Sequence, residues 1–172
     1  LYCGLSRDRG TREGPVDDGG GRMTSCYDLV LDRLDTAGCD LSGVIFRDTG
    51  GTNGWLADPL PNWVPDLIKA AKLDGVVLRV DLRKLPAGQG IPPHMDPFVQ
   101  GSTLVTEHRY QIPLVTHPDV TMRWPDDGVE VHLEVGRVYE VDFRRMHEIV
   151  HRAPIDRVHL QVHTASLKGS SS

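Results

Sequence analysis

From position 76 onward, apolar and polar residues alternate in run after run, and this period of two constrains the fold more than any other feature of the chain. VVLRVDLRKL (76–85) is the longest run. RYQIPLVT (109–116), VTMRW (120–124), VEVHLEV (129–135), RVYEVDF (137–143), HEIVHR (147–152) and RVHLQVHT (157–164) follow it. Alternation places successive side chains on opposite faces of a strand, so that one face can be buried. Turn sequences such as PAGQG, PDDG and APID separate the runs. Seven short strands with no interleaved helix predict a β-sandwich or barrel. The 18 Gly and 12 Pro fit this, because both residues disfavour helix interiors.

The first part of the chain reads differently. Residues 1–22 hold six Gly and little apolar periodicity, which predicts a flexible leader, with Met23 as a candidate natural start. Thr24 or Ser25 can cap a helix running to Thr36, with Leu29, Val30 and Leu34 on one face and Gly38 as its stop. DTGGTNGW (48–55) and ADPLPNW (57–63) are dense in Gly, Asn and Pro, which predicts a loop-rich stretch without long regular elements. A short helix is expected from Val64 to Leu73, with Pro65 in its first turn and Gly75 ending it. These helices should pack outside one sheet. The working domain is expected over 23–166, with 167–172 a flexible tail.

Charge and cysteines narrow the function. With 19 Lys and Arg against 24 Asp and Glu, the net charge is −5, which disfavours nucleic acid as a partner. No apolar run has transmembrane length, so no membrane partner is expected. Cys3, Cys26 and Cys39 are odd in number and far apart, which argues against a disulfide framework and for a reducing cytoplasm.

All eight His fall after residue 93. In His94-Met95-Asp96, positions i and i+2 of an extended chain present an imidazole and a carboxylate to the same side. A distant third ligand would complete a two-His-one-carboxylate set, which leaves Fe(II) open positions for co-substrate and oxygen. The plain alternative is a loop His bonded to its neighbouring Asp. Arg157 lies ten residues after His147, across a turn at Ala153-Pro154. A hairpin of that size would bring a guanidinium beside a metal at His147, where its planar fork could hold a carboxylate. A surface Arg paired with Asp156 is the alternative. Arg109, fifteen residues after His94, shares a strand face with Gln111 opposite Ile112 and Leu114. It offers a second cation, or else a solvent-facing strand edge.

The order IPPHMD, RYQIPLVTHPDV, GRVYEVDFRRMHEIVHRAPIDRVHLQV resembles the aspartyl/asparaginyl β-hydroxylase-like family, including the free-proline cis-3-hydroxylase type, over about residues 76–164. The resemblance implies a mainly β, double-stranded β-helix (jelly-roll or cupin-like) fold and an Fe(II)- and 2-oxoglutarate-dependent dioxygenase. It implies His94, Asp96 and His147 as the iron ligands at the catalytic centre. Arg157 would anchor the distal carboxylate of 2-oxoglutarate, and Arg109 would contact a carboxylate of co-substrate or substrate. The implied reaction consumes O2 and hydroxylates an unactivated carbon, the β carbon of an amino acid or of a residue in a peptide, with succinate and CO2 as co-products. Asp96 favours hydroxylation over halogenation, since a halide would need that ligand position.

Two departures from the family pattern stand near the expected pocket. Gln111 replaces a common His, and His151 a common Asn. His151 also competes with His147 as ligand, because i and i+4 share a strand face; the spacing to Arg157 favours His147. HEIVH matches the zinc-protease HExxH pattern only superficially, since that motif needs a helix. His159 and His163 suit packing or a supporting role, whereas His108, His117 and His132 lack ligand-like context. Arg83, Arg144 and Arg145 could also serve a substrate carboxylate. A non-catalytic cupin-like metal or small-ligand sensor, and a redox-neutral metal-dependent isomerase, are the competing functions. Only the oxygenase needs Arg157 as an anchor.

Overall fold

The computed structural model describes residues 25–50, 54–96 and 108–165. The expected leader, Met23, Cys3 and the tail lie outside the described residues. The elements are β1 (Tyr27–Leu31), β2 (Phe46–Asp48), β3 (Trp55–Ala57), α1 (Val64–Ala71), β4 (Val76–Leu85), β5 (Ile91–His94) and β6 (His108–Val115), followed by β7 (Val120–Trp124), β8 (Val129–Val131), β9 (Val138–Val141), β10 (His147–His151) and β11 (Arg157–Ala165). One sheet has the order β1-β9-β6-β11-β4-β3-β2, the other β5-β10-β7-β8. From β4 to β11 the chain passes back and forth between the two sheets, and every pairing is antiparallel. That winding is the jelly roll expected from the resemblance.

β11 is central and buried along its whole length. It pairs with β4 on one side and β6 on the other, with Leu160 opposite both Leu82 and Ile112. Val158, Leu160 and Val162 pack with Leu82, Tyr110 and Ile112, and the buried Val64, Leu67 and Ala71 of α1 join the same cluster. Each such fully buried aliphatic side chain contributes about 1.5–3 kcal/mol. A second cluster, including Met122, Trp124, Leu133, Tyr139, Val141 and Ile149, joins the two sheets. Trp124 donates its indole N–H to the Asp142 carbonyl at 3.0 Å. Period-two geometry then leaves Arg157, His159, Gln161 and His163 on the other face of β11, toward the interior between the sheets.

Three expectations need correction. The described part of the segment expected to be helical up to Thr36, residues 25–36, is no helix: Tyr27–Leu31 forms the edge strand β1 on β9. Leu29 and Val30 are 45% and 39% exposed, while Leu34 is buried and donates its N–H to the Gly136 carbonyl. Covering the open edge of β9 satisfies backbone groups and outweighs a helical pattern only a few turns long. The loop-rich stretch is as expected in carrying only a short element among its described residues, the three-residue β3 paired with β2 and β4. The helix stops at Ala71, with Lys72 left-handed (φ 49°), rather than at Gly75. Gly75 instead lets the backbone touch the end of β11: with φ 86°, a Cβ there would lie 2.6 Å from the Ala165 carbonyl oxygen. Finally, β10 and β11 form no hairpin. They belong to different sheets, and residues 152–156 cross from one to the other. His147 and Arg157 therefore approach the interior from opposite walls.

Candidate metal centre and anion pocket

β5 is an edge strand whose register to β10 shifts between Ile91 and His94, and the open edge together with this irregularity accommodates Pro92 and Pro93, which have no N–H to donate. Gly90 brings β5 close to β10, since a Cβ there would sit 2.5 Å from the Ile149 carbonyl oxygen. The register then sets His94 directly opposite His147. Asp96 follows two residues later, its N–H donated to the Phe143 carbonyl at 3.2 Å.

Ligand atoms of His94, Asp96 and His147 all lie within 4.8 Å of one another. His94 Nδ1–H donates to the Pro92 carbonyl and His147 Nδ1–H to the Arg145 carbonyl, both at 2.8 Å. A carbonyl only accepts, so each ring carries its proton on Nδ1 and turns an Nε2 lone pair inward. Those Nε2 atoms stand 3.7 and 3.8 Å from the two Asp96 oxygens. Burial, helped by the nearby His94 and Arg109 charges, pulls His147 below its usual pKa and favours the neutral, ligating form. Burial opposes ionisation of Asp96, but Arg109, by charge and by hydrogen bond, and then the two His, hold its carboxyl below the usual range. The set thus has the donor types and protonation states that suit a non-haem Fe(II) ion.

Arg109 projects inward from β6, ion-pairs with Asp96 and lies over the Phe143 ring at 4.3 Å. Its Nε is buried without a hydrogen-bond partner. Arg157 is 4% exposed and makes no ion pair among the described residues. Burial, and then the charge of Arg83, lowers its pKa to about 10. A buried guanidinium without a counter-ion is costly, and an anionic ligand would supply one. His151 shares the inward face of β10 with His147 and Ile149 but is not among the three converging ligands. Its Nδ1 accepts the Gly88 N–H at 3.3 Å.

Sequences of the aspartyl/asparaginyl β-hydroxylase family match residues 64–166, from α1 through β11. The chain belongs to the aspartyl/asparaginyl β-hydroxylase family. As a member of this hydroxylase family it carries the three converging residues and both arginines within the matched stretch. Among solved structures, the viral collagen prolyl hydroxylase vCPH of Paramecium bursaria Chlorella virus-1, in its 2OG complex, is similar in fold. Its TM-score is 0.62 at 12% identity, covering 84% of this chain and 98% of that one. A truncated form of vCPH gives 0.56 at 11% identity, covering 95% and 100%. No curated protein sequence gives a significant match. Among the described residues, no helix is long and apolar enough to cross a membrane.

In this β-hydroxylase-family chain the inner face of β11 forms cross-strand rungs with its neighbours. His163 stands opposite Arg79 and Arg109, Gln161 opposite Asp81 and Gln111, and His159 opposite Arg83 and Pro113. No sequence motif singles out Asp81 and Gln161, although they share parity with Arg83 and Arg157 in plain alternating strands. Gln111 Oε1, His151 Nε2, His159 Nδ1 and His163 Nε2 are buried without hydrogen-bond partners. Arg144 and Arg145, considered for a substrate carboxylate, are bound to the buried Asp142. His108, His117 and His132 pair with Glu140, Asp119 and the Val120 carbonyl.

Proposed function

We propose that the protein is an Fe(II)- and 2-oxoglutarate-dependent dioxygenase that hydroxylates the β carbon of an amino acid, free or within a peptide. The observation that carries this reading is the convergence of His94, Asp96 and His147 in an interior that also holds the buried Arg157, which makes no ion pair among the described residues. His94, Asp96 and His147 would hold the iron from one side and leave the other side open. Iron held there would supply, with 2-oxoglutarate and O2, the oxidising power to place one oxygen atom in a substrate C–H bond and the other in succinate, with release of CO2. Arg157 would hold the distal carboxylate of 2-oxoglutarate by its planar fork. Arg109, with its inward Nε, would take a carboxylate of co-substrate or substrate. The Nδ1–H bonds to Pro92 and Arg145 keep both rings aimed, so little reorganisation accompanies metal binding.

A cytoplasmic setting is part of the same proposal. Cys26 and Cys39 are free thiols, and burial raises Cys26 to about 11, which makes it an inert packing group. The test is incubation of the protein with Fe(II), 2-oxoglutarate and O2 against a panel of amino acids and short peptides. Succinate formation matched by a substrate gaining one oxygen atom is expected. Binding of 2-oxoglutarate without succinate across the panel would favour the sensor, and product formed without O2 the isomerase.

A further inference from the structure

A side chain that is to ligate a metal must be aimed by something behind it. His94 and His147 are aimed by their Nδ1–H bonds to the Pro92 and Arg145 carbonyls. Asp96 lies beyond the end of β5, and its N–H bond to the Phe143 carbonyl fixes its backbone only. Its carboxylate takes a single hydrogen bond among the described residues, on Oδ2, from Arg109 Nη1. The other oxygen, Oδ1, takes none and stands 3.7 Å from His94 Nε2. Arg109 reaches Asp96 from β6 in the other sheet, and its side chain is 11% exposed. Phe143 braces both partners. Its carbonyl takes the Asp96 N–H, and its buried ring lies under the Arg109 guanidinium at 4.3 Å. A planar guanidinium already stacked on a ring loses little further freedom when it bonds a carboxylate.

We propose that Arg109 is a positioning residue for Asp96: it engages Oδ2 and thereby presents Oδ1 to the metal as a single-oxygen ligand. This rests on the proposed iron site of His94, Asp96 and His147. A carboxylate that gives one oxygen leaves more open positions on the ion than one that gives two, and the co-substrate and O2 need those positions. Arg109 also acts against the metal, because a guanidinium repels a cation whether or not Asp96 is there. The two effects separate, since only the aiming requires the Asp96 carboxylate. The Arg109 Nε takes no part in this bond, so the role is compatible with a ligand carboxylate at Nε.

The experiment is a double-mutant cycle on Co(II) affinity, with the full chain at neutral pH and no co-substrate, read by the visible absorption of the bound ion. Arg109→Met and Asp96→Ala are made singly and together. Arg109→Met is expected to cost about tenfold or more in Co(II) affinity when Asp96 is present, relative to its effect in the Asp96→Ala protein. Arg109→Lys should recover part of that ratio, because an ammonium can reach Asp96 but lacks the planar fork. A ratio within about twofold of unity, or a reversed one, overturns the proposal, since Arg109 then acts on the metal only through its charge or through the fold. If Arg109→Met fails to fold, the cycle is run with Arg109→Lys, where a smaller ratio of the same sign supports the proposal and a ratio of unity overturns it. Asp96→Ala by itself tests the metal centre. Unchanged Co(II) affinity would remove Asp96 from the site and overturn the reading on which the proposal rests. A loss at Asp96→Ala without coupling to Arg109 leaves the metal centre standing and removes the role of Arg109 alone.

Discussion

His94 and His147 are register partners across β5 and β10, with ring centroids 4.3 Å apart and each Nδ1–H donated to a backbone carbonyl. Two imidazoles fixed in this way would act as one chelating unit under the proposed function. Replacing either with Ala should weaken Fe(II) or Mn(II) binding by more than the about 10–100-fold that loss of an outer hydrogen-bond partner costs. His151→Ala should leave metal affinity near that of the parent, because His151 stands apart from the converging atoms. Anaerobic metal titration checks both, and equal losses at His147 and His151 would reassign the ligand.

Acid should destabilise the fold well before its carboxylates titrate. Burial lowers His147, His151, His159 and His163 below the usual 6.5, and His163 to about 4. Between about pH 4 and 6.5 the unfolded chain therefore binds more protons than the native one, so stability rises with pH across that window and is lost as pH falls through it. One such group contributes a slope of at most about 1.4 kcal/mol per pH unit. His163→Gln, which cannot titrate, should flatten the dependence of the urea midpoint on pH in this range. An unchanged slope would show that His163 is protonated alike in both states.

The strand assignment at the N-terminal edge has its own test. Leu160→Ala, at a site with no exposure, should cost about 2–5 kcal/mol in urea unfolding. Leu29→Ala, at 45% exposure, should stay within about 0.5 kcal/mol. A large loss at Leu29 would restore the buried helical face that the sequence pattern suggested.

Asp142 ties stability to the metal centre. It is buried and accepts hydrogen bonds from the Arg144 N–H, Arg144 Nε and Arg145 Nε at 3.1–3.2 Å. Arg145 in turn offers the carbonyl that orients His147. Asp142→Asn should cost about 1.5–3 kcal/mol of stability, the worth of a charge-assisted hydrogen bond, and should weaken metal binding up to about tenfold. Loss of stability with unchanged metal affinity would uncouple the turn from His147.

Much of this was legible in the chain itself. β4 and β7 run over the positions that alternation marked, 76–85 and 120–124, because a half-buried strand must repeat every two residues. The same parity placed Arg109 and Gln111 opposite Ile112, as the folded strand has them. The His94-Met95-Asp96 motif suggested two ligands, and the family resemblance implied His147 as the third. What local pattern could not give was the partner of each strand. β1 became a strand only because β9 offered an open edge, and residues 27–31 alone carry a helix-compatible pattern. His147 and Arg157 looked like neighbours in a hairpin but reach the interior from different sheets. The opposition of His94 to His147, and the pairing of Asp96 with Arg109 from the other sheet, depend on strand register and on which sheet each strand joins. Those are set by burying the faces of β11 against α1 on one side and the second sheet on the other, a non-local choice that spacing along the chain does not encode.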